Sequence, residues 1–169
     1  MNTQIRKATP EEFSILPHIE TLAAQAFVEL GLNDISEMPP LPGSFYSGLP
    51  STAIILLAEH KNDIVGFCVT IVLDGQAHLK ELSVAYAFSG QGIGKKLLQH
   101  MCCEAKTQGH NAITLTTFAD ISFNAPFYKC LDFAEFTPNT QWPELQNLRA
   151  EEKRGALRHH KRIAMIKNL

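Results

Sequence analysis

Long apolar runs are missing from this chain. None approaches the roughly 18 residues that a membrane span requires, and the start, MNTQIRKATPEEF, holds no apolar signal core, so the expectation is a soluble cytoplasmic protein without a membrane partner. Cysteine is sparse. Cys68 falls in an apolar run, Cys102 and Cys103 adjoin on a helical pattern, and with Cys130 the set gives neither zinc spacing nor a disulfide framework. All four are expected to be buried thiols. No pair of histidines has ligand spacing beside a carboxylate, so no metal is expected. Neither sign of charge dominates: 15 Lys and Arg stand against 17 Asp and Glu, and the net charge of −2 gives no general pull toward nucleic acid or an anionic membrane. Repeats and low-complexity tracts are absent.

What is present is ordinary globular composition, 45% hydrophobic and 19% charged over 169 residues, which fits one domain over residues 1–169. Charge is unevenly placed within it. Arg149, Lys153, Arg154, Arg158, Lys161, Arg162 and Lys167 make the tail basic against Glu151 and Glu152, and leave the body acidic. The tail lacks the interleaved aromatics of single-strand binding and reads as a solvated helix face, so no nucleic-acid partner is expected.

Gln4 to Ala8 reads as an edge strand, and Pro10, Glu11 and Glu12 open a helix to about Leu30 along Phe13, Leu16, Ile19, Leu22, Ala23 and Phe27. EMPPLPGSFYSGLP breaks it. Its prolines predict an irregular loop with at most one short helix, of the kind that covers a binding site. Two apolar runs follow, STAIILLAEH and DIVGFCVTIVL, joined near Lys61 and Asn62, and Asp74-Gly75 then turns a hairpin into QAHLKELSVAY. Ile93, Leu97, Leu98, Met101, Cys102 and Ala105 recur at helical spacing up to Gly109. The next strand, NAITLTTF, follows a helix and is therefore expected parallel to the strand ending near Tyr86. A short helix in SFNAPFYKCLDF, a strand in FAEFT, an amphipathic helix from Pro143 to about His159 and a strand in KRIAMIK complete the order, residues 138–169 closing the domain. The fold class is α/β, with a mixed, mostly antiparallel sheet and flanking helices. KRIAMIK either completes that sheet or pairs across a homodimer; both stay open.

FSGQGIGKKLL sets Gly90, Gly92 and Gly94 between a strand and a helix. Backbone N–H groups and the helix dipole there favour an anion, and phosphate is the natural ligand; the plainer alternative is a tight turn with no ligand. Two phosphate motifs are excluded. A Walker loop needs glycine where Ser89 stands and a hydroxyl residue where Lys96 stands, and a Rossmann fingerprint begun at Gly90 needs its third glycine at Lys95.

S-G-Q-G-I-G resembles the acetyl-CoA loop of the GNAT superfamily of N-acetyltransferases, Q/R-x-x-G-x-G/A, with Ser89 in place of Gln or Arg. The resemblance extends to LKELSV before the loop and NAPFYKCLDF after it, and the element order is similar from Ile5 to about Thr137. Asp132 stands where the family has glycine, which implies an altered turn. A GNAT-like fold implies acetyl-CoA as co-substrate. Its pyrophosphate would lie on Ser89, Gly90, Gln91, Gly92, Ile93, Gly94 and Lys95, and its pantetheine would pair like an extra strand with the backbone of Leu82, Ser83 and Val84. Tyr128 matches the tyrosine that protonates the leaving thiolate, and Asn124 a side chain that contacts CoA.

The activity so implied is direct transfer of an acetyl group to a primary amine of a small molecule or peptide, and such an amine must lose a proton before attack. Glu81 is the sole carboxylate of its strand and is the candidate base. His78, nearer the strand's start, ranks below it. Glu29, Asp34 and Glu37 beside the proline-rich loop hint at a cationic acceptor. Tyr128 with Phe123 and Phe127 could instead be the packed face of a short helix, and Cys130 is expected to pack. The alternative function is a non-catalytic acyl-CoA-binding regulatory module.

Overall fold

Period-two apolar patterns and two tight turns generate the central strands. A computed structural model describes residues 3–169. The strands are β1 (Thr3–Lys7), β2 (Ile54–His60), β3 (Asp63–Leu73), β4 (Gln76–Val84), β5 (Ala112–Phe118), β6 (Ala134–Phe136) and β7 (Arg162–Asn168). The helices are α1 (Leu16–Val28), α2 (Asn33–Ser36), α3 (Gly43–Ser47), α4 (Ile93–Thr107), α5 (Ala125–Lys129) and α6 (Pro143–Glu152). Lys61 and Asn62, at φ 52° and 69°, and Asp74 and Gly75, at 52° and 73°, form the two-residue, doubly left-handed turns that suit the twist of a hairpin.

The sheet has seven strands in the order β1-β2-β3-β4-β5-β7-β6. β4 and β5 run parallel, as their separation by a helix requires, while β1–β2, β2–β3, β5–β7 and β6–β7 are antiparallel. The fold is therefore the expected mixed, mostly antiparallel one. β7 is an inner strand, paired from Ala112↔Asn168 to Phe118↔Arg162 on one side and from Ala134↔Ile166 to Phe136↔Ala164 on the other. It completes this chain's own sheet.

Contacts divide the described chain into two compact units, one running to Ile71 and including Lys80–Met101, the other formed by Val72–Leu79 and Cys102–Leu169. In the first, Leu16 and Ile19 of α1, Tyr46 of α3, Leu57, Phe67 and Val69 build the core. In the second, Ile113, Leu115, Leu145 and Met165 are almost wholly buried. No helix among the described residues is long and apolar enough to cross a membrane.

Three expectations are corrected. The single helix over 10–30 is a 3₁₀ segment, Pro10–Ile15, followed by α1, because Pro17 has no N–H to continue an earlier helix and sits instead at the start of a new one. The helix expected to reach His159 ends at Glu152; Gly155 is a poor helix former, and Glu152 is drawn into pairs with Arg149 and Arg162 (2.9 Å to Arg162). The thiols are not all buried. Cys68 is, Cys102 is partly so, and Cys103 and Cys130 are exposed, because Cys103 falls off the apolar stripe of α4 and Cys130 caps the outer end of α5.

The basic tail is partly internal. Besides the Glu152 pairs, Lys167 donates to the Leu131 carbonyl at 2.8 Å and lies over the Phe133 ring. Burial alone would raise the Glu152 pKa, but the Arg162 charge and the bonds from Thr116, Arg149 and Arg162 hold it below the ordinary value.

Candidate active site

Nine residues make β4, yet its register with β5 spans only Ala77↔Ile113 to Leu79↔Leu115. The C-terminal part of the strand, Lys80–Val84, belongs to the first unit and has no register partner on β5. Glu81, Leu82, Ser83 and Val84 all lie in this stretch. The Glu81 carboxylate is held locally: Oε1 accepts the Leu82 N–H at 3.1 Å and the Ser83 hydroxyl at 2.7 Å.

Beyond Val84 the chain makes a 3₁₀ turn, Tyr86–Phe88, and enters the glycine loop. Gly90 and Gly92 have φ of 72° and 77°, a region that side chains with a Cβ rarely adopt. A Cβ at either would meet no protein atom within 4 Å. The glycines therefore serve the backbone's conformation and leave open space beside the loop, the form of a cradle for a ligand. Ser89, Gly90, Gln91, Gly92 and Lys95 are exposed and Ile93 is buried in the unit's core, which fixes the start of α4. The first amides of α4, those of Ile93, Gly94 and Lys95, have no intrahelical acceptor.

The first unit also contains two groups that the sequence reading passed over. Glu20 of α1 accepts two hydrogen bonds on one oxygen, Oε2: from the Leu41 N–H at 3.1 Å and from the Tyr46 hydroxyl at 3.3 Å. In Pro39-Pro40-Leu41-Pro42 only Leu41 has an amide N–H, and Glu20 takes it. Tyr46 is 1% exposed, with its ring edge-on to Phe67 at 5.8 Å, so its hydroxyl reaches Glu20 from a fixed core position. Burial, with the Glu81 charge, pushes the Glu20 pKa up to about 7 against the opposing pull of the two donors and Lys80. Burial and the charges of Glu20 and Glu81 push Tyr46 upward as well. A signal was present in the sequence, an acid directly after Ile19 on the inward stripe of α1, but nothing local assigns its partners.

In the second unit, Asn124 precedes α5 and its carbonyl accepts the Tyr128 N–H at 3.1 Å. Tyr128 is 9% exposed, edge-on to Phe127 at 5.1 Å and Phe133 at 5.7 Å. Phe123 is exposed, while Phe127 and Phe133 pack edge-on against the Tyr128 ring. Asp132 keeps the left-handed backbone that glycine would supply, with φ 68°. His78 is a core residue, 1% exposed, its Nδ1 2.9 Å from the Thr114 hydroxyl. Glu29, Asp34 and Glu37 are exposed. No group of three or more His, Cys, Asp or Glu among the described residues is arranged to hold a metal ion.

The acetyltransferase (GNAT) domain model matches residues 51–135, half of the chain. Among solved structures, the chain is similar to the ribosomal-protein-S18-alanine N-acetyltransferase of Escherichia coli, with 20% identity, 99% of this chain and 94% of that one covered, and a TM-score of 0.70. It is also similar to the PaiA N-acetyltransferase of Thermoplasma acidophilum in complex with coenzyme A (18% identity, both chains covered in full, TM-score 0.67). A GNAT-family acetyltransferase of Staphylococcus aureus Mu50 gives 20% identity, 99% coverage of each chain and a TM-score of 0.69.

Proposed function

Since this chain belongs to the GNAT family of N-acetyltransferases, we propose that it moves the acetyl group of acetyl-CoA directly to a primary amine of a small molecule or peptide. The observation that carries this reading is the glycine loop: left-handed Gly90 and Gly92, open space where their side chains would be, and a helix start behind them. The amides from Gln91 to Lys95 would hold the pyrophosphate, and Ser89 supplies a hydroxyl where the related loops carry a longer side chain. The backbone of Leu82, Ser83 and Val84 would pair with the pantetheine as a strand pairs with an edge.

Acetyl-CoA supplies an activated thioester. Glu81 meets the acceptor's ammonium and takes its proton, fixed for that task by Leu82 and Ser83. An amide of Leu82–Val84 stabilises negative charge as it develops on the acetyl oxygen. Tyr128 protonates the departing sulfur, and Asn124 contacts CoA. The E. coli neighbour is an alanine N-acetyltransferase of a ribosomal protein, which favours including peptide amines among the acceptors to be tried.

Calorimetric titration of acetyl-CoA into the protein, followed by an amine and peptide panel read by free-thiol release, tests the reading. Micromolar binding with amine-dependent thiol release is expected. Absence of binding would sink the proposal, and binding without turnover would favour a non-catalytic acyl-CoA module.

A further inference from the structure

The end of α6, the turns over residues 153–161 and the start of β7 line a cavity of about 230 Å³ in the second unit. Five cationic side chains face it, Arg149, Lys153, Arg158, Lys161 and Arg162, and Glu152 is the one carboxylate in its lining. A further cavity of about 440 Å³ shares Arg149, Lys153 and Arg162 and adds Glu135 from β6. Glu152 is fully engaged by groups of the wall itself. Its Oε1 accepts from the Thr116 hydroxyl and stands 2.9 Å from Arg162 Nη2, and its Oε2 accepts from Arg149 Nη1. Arg149 also donates through Nη2 to the Arg162 carbonyl, and Arg162 Nη2 reaches the Thr116 hydroxyl at 3.1 Å with the guanidinium 4.7 Å over the Phe118 ring. Two guanidinium groups are thus fixed in place. Arg162 Nε is enclosed with no acceptor, so the wall's own partners do not answer all of that group's donors.

Lys153, Arg158 and Lys161 are in a different position. All three are exposed, and their side chains make no ion pair or hydrogen bond among the described residues; Glu151, also exposed, pairs with none of them. Scattered over a surface, three such cations would need no partner beyond water. Gathered with two fixed arginines around one small cavity, they repel one another, and low-dielectric walls focus their field into the space between them. An anion is the group that relieves this. The chain as a whole carries −2, so the attraction is local to the cavity and owes nothing to net charge. No Phe, Tyr or Trp lines the smaller cavity, so it offers no ring on which a nucleobase would stack.

We propose that this cavity is a binding site for a compact polyanion, a polyphosphate or a multiply phosphorylated small molecule, whose oxygens pair with Lys153, Arg158 and Lys161 against the wall of Arg149 and Arg162. None of these residues belongs to the glycine loop or to the residues assigned to acetyl transfer, and the site stands independently of that reading.

Calorimetric titration of inorganic triphosphate in about 0.1 M salt, which screens diffuse attraction, tests the proposal. It is carried out with and without saturating acetyl-CoA, on three proteins: the wild type, a variant with Lys153→Gln, Arg158→Gln and Lys161→Gln, and a control with Lys61→Asn and Lys106→Gln. All five substituted side chains are exposed, and thermal unfolding checks that each variant folds as the wild type does. One triphosphate per chain is expected, with acetyl-CoA changing the affinity by less than about twofold. The triple variant should lose at least about tenfold and the control less than about twofold. No binding by the wild type would overturn the proposal, as would equal binding by the triple variant or an equal loss in the control. Displacement of triphosphate by acetyl-CoA would place it in the glycine loop instead. An RNA duplex held by the wild type and released by the triple variant, with triphosphate unbound, would make the patch a nucleic-acid surface and overturn the proposal too.

Discussion

Asp74 and Glu144, 70 positions apart, cap one another. The Asp74 carboxylate accepts the Glu144 N–H at 2.9 Å and the Leu145 N–H at 3.0 Å, and the Glu144 carboxylate accepts the Asp74 N–H in return. The hairpin turn of β3 and β4 thus supplies the N-terminal cap that α6 lacks in its own sequence, where Trp142 offers no acceptor.

Asp74→Ala should therefore cost more than a turn residue does. Two first-turn amides lose their acceptor and alanine is strained at φ 52°, so a loss of about 1–3 kcal/mol is expected, lowering Tm by several degrees. Asp74→Asn tolerates the backbone and keeps one acceptor, and should recover at least half. Thermal unfolding of both variants checks it; equal, small effects would mean that the cap is dispensable.

Gly92→Ala and Gly92→Val should both weaken acetyl-CoA. A Cβ at this position meets no protein atom within 4 Å, so the fold is expected to survive apart from the strain of φ 77°, about 1 kcal/mol for alanine and more for β-branched valine. A tenfold or greater loss of affinity by calorimetry is expected for valine. Unaltered binding would mean that the loop does not hold the cofactor's phosphates.

Tyr128→Phe keeps the ring contacts to Phe127 and Phe133 and removes only the hydroxyl. With Tyr128 as the acid, kcat should fall at least tenfold while acetyl-CoA affinity changes less than twofold. A parallel loss of Tm and activity would assign the residue to packing.

Glu20 should also leave a mark on stability against pH. Its pKa is raised from 4.5 to about 7, so between those values the folded state holds a proton that the unfolded state has lost. Stability from this group is present below about pH 4.5 and declines as pH rises through about 7. Urea unfolding at pH 5 and pH 8 should show Glu20→Gln improving relative to wild type by about 1 kcal/mol across that interval, after allowance for partial exposure. A constant difference would contradict the raised pKa.

What the sequence determined by itself is whatever a few adjacent residues can enforce. Asp74-Gly75 and Lys61-Asn62 turn hairpins because their own backbones accept positive φ, and the stripe from Ile93 to Ala105 makes α4 because 3.6-residue periodicity is a local property. The glycine loop was legible for the same reason, and with it half of the candidate site. Pro17 and Gly155 were equally local, and their breaks were outweighed in the reading by the apolar pattern around them. Tertiary structure alone decided the rest. The Glu20 pKa is raised by burial and by the Glu81 charge against the hydrogen bonds from Leu41 and Tyr46, groups that come from three other segments, and β7 became an inner strand when β6 paired with its second side. Desolvation and Coulomb interaction act through space, and no spacing along the chain encodes which distant groups the fold brings together.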